Sequence, residues 1–178
     1  MDIWEMDIWE KAVAFHGHTC GGLALGVRAA MEARKRFDVE RAADEEIVCV
    51  TENDACGVDG VQSALGCTLG KGNLIYRNTG KFAFSFFNRS TGDSFRLMAR
   101  DKPEGLHGDA YIEHVLTGPL EEIFSVGAPR VSLPEPARSL SSVKCELCGE
   151  AAPETKIRLQ DGRRVCLDCY KDYDRGWK

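Results

Sequence analysis

Ile47-Val48-Cys49-Val50-Thr51, a β-branched run of strand length, leads into Asn53-Asp54-Ala55-Cys56-Gly57-Val58-Asp59-Gly60, a stretch rich in turn formers. The strand end therefore feeds a loop that carries polar chemistry. Upstream, Leu23, Val27, Ala30, Met31 and Phe37 recur at helical spacing, with Arg28, Glu32, Lys35 and Arg36 on the exposed side. A shorter helix over 7–15 precedes it, with Ile8, Ala12 and Phe15 sharing one face. Downstream, residues 61–65 suit a short helix, and Gly66-Cys67-Thr68-Leu69-Gly70-Lys71-Gly72 is too glycine-rich for anything but a loop. Residues 74–77 and 81–88 read as strands joined in a hairpin around Asn78-Thr79-Gly80, with Phe82, Phe84 and Phe86 alternating toward one face. Residues 94–100 add a third strand, and 111–116 and 120–126 read as helices, the second opened by Gly118-Pro119. This mixture predicts an α+β core, a mixed or antiparallel sheet with flanking helices.

A chain of 178 residues accommodates one domain of ordinary size and a small appendage. Between 128 and 142 lie Pro129, Pro134, Pro136 and four serines, a composition that suits an extended linker. The expected organisation is a core domain over 1–127, a linker over 128–142 and a small domain over 143–178. No apolar run approaches the ~20 residues needed to cross a bilayer, and no export signal is apparent, so a cytoplasmic protein without a membrane partner is expected. Met1 to Glu5 is repeated as Met6 to Glu10, a tandem pentapeptide to which no function is assigned. The net charge is −5, and the last 39 residues hold 8 Lys+Arg against 7 Asp+Glu, which leaves −6 for the first 139. Neither part is a basic nucleic-acid surface, and four thiolates around one divalent ion would take the tail from +1 to −1.

Eight cysteines in a chain expected to stay in a reducing compartment point to metal ligation or catalysis rather than disulfides. Cys145-x2-Cys148, seventeen residues, then Cys166-x2-Cys169 is the spacing of a four-cysteine zinc site, with turns supplied by Gly149 and Gly162. Zinc there substitutes for the core that about forty residues cannot build alone. In the core region His16-x-His18-x-Cys20 places two imidazoles and a thiol at alternate positions just ahead of a helix. A cysteine at that place has its thiolate favoured by the helix N-terminus. Cys56 and Cys67 sit in glycine-flanked loops with Asp54, Asp59 and Lys71 close in sequence. Cys49, inside the strand, reads as core. Residues 66–71 do not make a phosphate loop, because position 65 is Leu and position 72 is Gly. His107 and His114 read as isolated structural histidines.

Taken together, Phe15-His16-Gly17-His18-Thr19-Cys20, Asp54-Ala55-Cys56-Gly57-Val58-Asp59-Gly60-Val61-Gln62 and Gly66-Cys67-Thr68-Leu69-Gly70-Lys71-Gly72-Asn73 resemble the FmdE family, the FmdE subunit of formylmethanofuran dehydrogenase, which is a molybdenum or tungsten enzyme. The tail resembles the zinc-finger appendage that some members of that family carry. The resemblance implies an α+β core, an intertwined homodimer and a metal-binding cleft formed by the histidine–cysteine loop with the later cysteine loops. Gly21 departs from the proline that usually follows the cysteine in that family, leaving the loop less rigid around Cys20.

The reading that follows has two metals. The tail holds a structural zinc on Cys145, Cys148, Cys166 and Cys169. The core holds a second divalent metal, zinc, nickel or iron, with His16, His18, Cys20, Cys56 and Cys67 as candidate ligands. In an enzyme the metal would act as Lewis acid, with Cys20, Asp54 and Cys56 as catalytic candidates and Asp54 or Asp59 as proton acceptor. The competing reading is a regulatory, metal-sensing or protein- or nucleic-acid-binding module acting through the zinc finger, whose local basic cluster is Arg158, Arg163 and Arg164. A third is an accessory protein docked on a larger oxidoreductase.

Overall fold

The β-branched run Ile47–Thr51 forms strand β1 with all five residues buried, the pattern of a central strand covered on both faces. The computed structural model describes residues 3–173 and 175–176. Ahead of β1 come helix α1 (Ile3–His16) and helix α2 (Gly21–Phe37), and after it helix α3 (Gly57–Leu65). Strands β2 (Leu74–Tyr76), β3 (Ala83–Asn88) and β4 (Ser94–Ala99) follow, then helix α4 (Gly108–Thr117), the single turn α5 (Leu120–Ile123) and strand β5 (Phe124–Gly127). The five strands form one mixed sheet in the order β2-β1-β3-β4-β5, with β1 and β2 parallel and the other pairs antiparallel. The α+β core with a mixed sheet and flanking helices is the one the sequence predicts.

Two local expectations are corrected. Residues 74–77 and 81–88 do not pair as a hairpin. β1 inserts between them, Cys49 lying opposite Leu74 on one side and Phe86 on the other. The cause is burial: β1 has no polar face, so a position between two strands satisfies both of its backbone edges and covers both of its faces. Residues 120–126 do not form one helix either. After one turn the chain extends at Phe124, which is 1% exposed, and pairs with Ala99 at the sheet edge.

Phe84, Phe86, Phe95 and Leu97 point to the helical side of the sheet and pack with Leu23, Val27, Ala30, Val61 and Leu65 in one continuous core. Phe87, Val48 and Val50 face the other way and pack with Ile75 and Val131. The proline- and serine-bearing segment after β5 is held on this unit. Arg89 Nη1 donates to Pro134 O at 2.8 Å and the Ala137 N–H to the Glu45 carboxylate at 2.9 Å. Residues 1–137 form one compact unit and 138–178 a second. No helix among the described residues is long and apolar enough to cross a membrane.

Helices α2 and α3 meet along glycines. A Cβ on Gly26 would overlap the carbonyl of Gly57, and one on Gly60 would lie 2.6 Å from the Val27 nitrogen. This contact is backbone against backbone, so no rotamer can relieve it. Gly26→Ala is expected to destabilise the protein by more than the ~1–3 kcal/mol of ordinary overpacking. Denaturant unfolding checks this, and a stability equal to wild type would contradict it.

On the face of the sheet away from the helices, Arg96 Nε donates to Glu52 Oε1 at 2.6 Å, with both side chains under one-tenth exposed. That bond holds the Glu52 carboxyl below the usual range against the opposing effect of burial, with Thr79 donating a further bond. A depressed folded value means the stabilisation is complete above the unfolded carboxylate range, ~4.3, and is lost as pH falls through the folded value. Glu52→Gln leaves a buried guanidinium without its counter-charge. It is expected to cost ~3–5 kcal/mol near neutrality and to flatten the acid limb of the stability curve. An acid limb unchanged from wild type would contradict this account.

Candidate metal centres

α1 ends at His16, and Gly17, with φ +93°, closes the helix by donating its N–H to Val13 O at 2.7 Å. The chain then crosses to α2, whose N-cap is Cys20 in extended conformation, its Sγ accepting from the Leu23 N–H at 3.3 Å. Cys56 occupies the N-cap position of α3. Two helix N-termini therefore converge with their cysteines. Gly22 permits the approach: a Cβ there would lie 3.3 Å from Cys56 Cβ and 3.8 Å from Cys20 Sγ. Burial and the nearby Cys20 thiol raise the Cys56 thiol above its usual range.

The ligand atoms of His16, His18, Cys20 and Cys56 all lie within 4.8 Å of one another. The two imidazole centroids are 4.3 Å apart. His16 Nδ1 sits 2.8 Å from Asp59 Oδ2, and Gln62 Nε2 donates to Asp59 Oδ1 at 3.1 Å. A carboxylate only accepts, so the proton shared with Asp59 sits on Nδ1, which in the neutral form of the ring would leave the lone pair on Nε2. That Nε2 is buried without a hydrogen-bond partner. A buried ring nitrogen without a partner is rare in folded proteins, and a ring oriented by a carboxylate on its far side is how a ligating histidine is held.

Two imidazoles and two thiols suit zinc, iron or nickel. Of the four residues His18 is the exposed one. Cys67 is not among them: it is fully buried with its Sγ donating to Ile47 O at 3.4 Å, and burial pushes its thiol up to about 12. Cys49 is also core, its thiol raised by burial and by Cys67. Asp54 lies against Tyr76 on the wall of the cavity next to the cluster. Asp59 and Gln62, whose bonds orient His16, stand three residues apart on one face of α3, the helical spacing that could have marked them as partners. His107 lies against Lys102 Nζ and is not among the clustered ligand atoms.

The second unit is built from two short hairpins, β6 (Ser142–Lys144) with β7 (Ala151–Pro153) and β8 (Ile157–Gln160) with β9 (Arg163–Cys166). Asp161 and Gly162 both have positive φ, the backbone of a two-residue hairpin turn. Cys145, Cys148, Cys166 and Cys169 bring their sulfurs within 4.8 Å of one another. Cys145 is drawn down to about 6, first by the backbone N–H of Cys148 and then by that of Cys166, whose N–H lies 3.4 Å from its Sγ. Cys169 is pushed up to about 12 by hydrogen bonds with Cys166 and Cys148. Four thiols share one space there, and a divalent cation resolves their crowding by accepting all four as thiolates. In the basic cluster, Arg164 Nε is paired with Glu146 Oε2 at 3.3 Å.

Residues 15–125 match the family described as FmdE, molybdenum formylmethanofuran dehydrogenase operon. The chain belongs to the FmdE family. Residues 138–175 match the prokaryotic dksA/traR C4-type zinc finger, so this FmdE-family chain carries a four-cysteine zinc finger. A protein of Archaeoglobus fulgidus described as a probable S-adenosyl-L-methionine-binding protein is 33% identical over 196 residues. The match covers 92% of this chain and 52% of that protein, so the chain spans about half the length of that relative. The crystal structure of an FmdE-like protein of the tungsten formylmethanofuran dehydrogenase type, from Syntrophus aciditrophicus, has a TM-score of 0.69 to this chain. It covers 93% of this chain and 91% of that one at 23% identity, a likeness of fold.

Proposed function

We propose that the FmdE-family core is a metal-dependent enzyme or accessory unit that holds one divalent ion, zinc, nickel or iron, on His16, His18, Cys20 and Cys56. The observation that carries this reading is His16 Nε2, buried and unpartnered, in a ring whose other nitrogen is fixed by Asp59. Asp59 and Gln62 hold the His16 ring in its ligating tautomer. The N-termini of α2 and α3 bring Cys20 and Cys56 to the same point, where a divalent ion would take both as thiolates. His18, the exposed member, is the position at which an incoming molecule can replace a side chain, as an open position is replaced in catalytic zinc sites. The metal supplies Lewis acidity to a group bound beside it. Asp59 is committed to His16, so Asp54 on the cavity wall is the carboxylate left to accept a proton. The tail zinc is structural in this reading, since all four of its positions are filled by cysteine.

Cobalt(II) titration tests the reading, because thiolate-bound cobalt gives intense visible and charge-transfer bands. The full chain is expected to take up two equivalents with distinct spectra, and Cys20→Ser with Cys56→Ser is expected to remove one spectrum and spare the other. A single spectrum untouched by that double substitution would overturn the core site.

A further inference from the structure

A cavity of about 540 Å³ opens beside His16 and Cys56, a size within the ~300–1,000 Å³ typical of small-molecule sites. Its polar wall includes Asn53, Asp54, Asp59 and Gln62. Its apolar wall is made by Val58, Leu69, Leu74 and the ring of Tyr76, of which Leu69 and Tyr76 are 69% and 44% exposed at the mouth. Among the described residues two carboxylates line this space and no lysine or arginine does. Lys71, two residues beyond Leu69, is turned away, its Nζ donating to Ala42 O at 2.9 Å and Ala43 O at 3.4 Å. A divalent ion held at the proposed core site would not offset the acidic lining, because two thiolates and two neutral imidazoles around it sum to zero.

An apolar pocket with uncompensated negative charge repels anions and favours positive charge, and the low-dielectric walls strengthen both effects. Tyr76 adds an aromatic face at the mouth with Asp54 beside it, the pairing that holds organic cations. Partial burial and the Asp54 carboxylate both push the Tyr76 phenol up, so it stays neutral near pH 7.

We propose that this cavity binds a small organic cation, an amine or onium ion with an apolar body, presented to the metal between Asp54 and Tyr76. The proposal rests on the metal-centre reading only for what happens to the bound molecule, and the preference for positive charge is a property of the lining itself.

The test is calorimetric titration of the full-length, metal-loaded protein with three probes of similar shape: phenethyltrimethylammonium, 3-phenylpropanamide and 3-phenylpropionate. The cation is expected to bind at least ten-fold more tightly than the carboxylate, with the amide between them. Asp54→Asn, at an exposed position, is expected to shrink that ratio about three-fold or more, and Tyr76→Leu to weaken the cation selectively. Equal or tighter binding of the carboxylate, a ratio unchanged by Asp54→Asn, or no binding of any probe would each overturn the proposal. Repeating the series with Cys20→Ser/Cys56→Ser protein separates the two readings. Metal content there reports on the core site, and the cation preference reports on the cavity.

Discussion

Cys166→Ser, or removal of zinc by a strong chelator, unfolds residues 138–178 while the sheet of the first unit stays folded. The second unit has little apolar material: its buried cluster is Cys145, Val165 and Cys166, with Ala152, Ile157, Cys169 and Tyr170 only partly buried. Two of the three buried members are zinc ligands, so removing the metal removes the core with it. Leu159, Leu147 and Leu167 are 74%, 52% and 45% exposed and contribute no compensating burial. Structural zinc sites of this kind supply ~10–16 kcal/mol of binding free energy, which is folding free energy in a unit this small. Amide exchange followed by mass spectrometry checks the outcome: protection over 138–178 should collapse to that of a free peptide, with β1 and β3 unchanged. Protection retained across β8 and β9 after complete zinc removal would contradict it.

At the proposed core site Asp59→Asn is expected to weaken metal binding by ~10–100-fold, the usual effect of losing a carboxylate behind a ligating histidine, and His16→Ala to abolish it. The asymmetry is informative. An asparagine can still accept through its amide oxygen, so the His16 ring keeps its place but loses the charge that raises the basicity of Nε2. His16→Ala removes the one ring nitrogen of the cluster that is buried without another partner. Competition titration against a chromogenic chelator measures both constants. Equal affinities for wild type and Asp59→Asn would show that the Asp59 contact is a surface ion pair with no bearing on a metal. Because Asp59 is roughly a third exposed, its contribution to stability alone is small, so an effect on metal affinity of that size is not a folding effect.

Much of this was legible in the residues. Ile47–Thr51 is uniformly apolar or β-branched and forms the strand its composition predicts, with the same bounds. Phe84 and Phe86 fall on the helical face as their alternation requires. What could not be read was which strands lie side by side. β1 separates β2 from β3 because pairing is decided by burial of both faces of β1, a tertiary property that no local turn signal at Asn78-Thr79-Gly80 reports.

The site shows the same division. His16, His18 and Cys20 converge, although not through the alternation of an extended segment: His16 closes one helix and Cys20 opens the next. Cys56 joins them because α3 packs on α2 along Gly26, Gly57 and Gly60. Cys67 has an equally glycine-rich setting in sequence but is directed into the core, and loop composition alone does not distinguish the two. Asp59 behind His16 depends on a contact across 43 positions of sequence.

The claim that this FmdE-family chain holds two different metal centres is tested most directly by elemental analysis of the full-length protein purified without added chelator. Wild type should be measured beside Cys20→Ser/Cys56→Ser and beside Cys145→Ser/Cys148→Ser. Two divalent ions per wild-type chain, falling to one in each double variant, is the result expected. One ion per wild-type chain, unaffected by Cys20→Ser/Cys56→Ser, would contradict it and leave the zinc finger as the sole metal site.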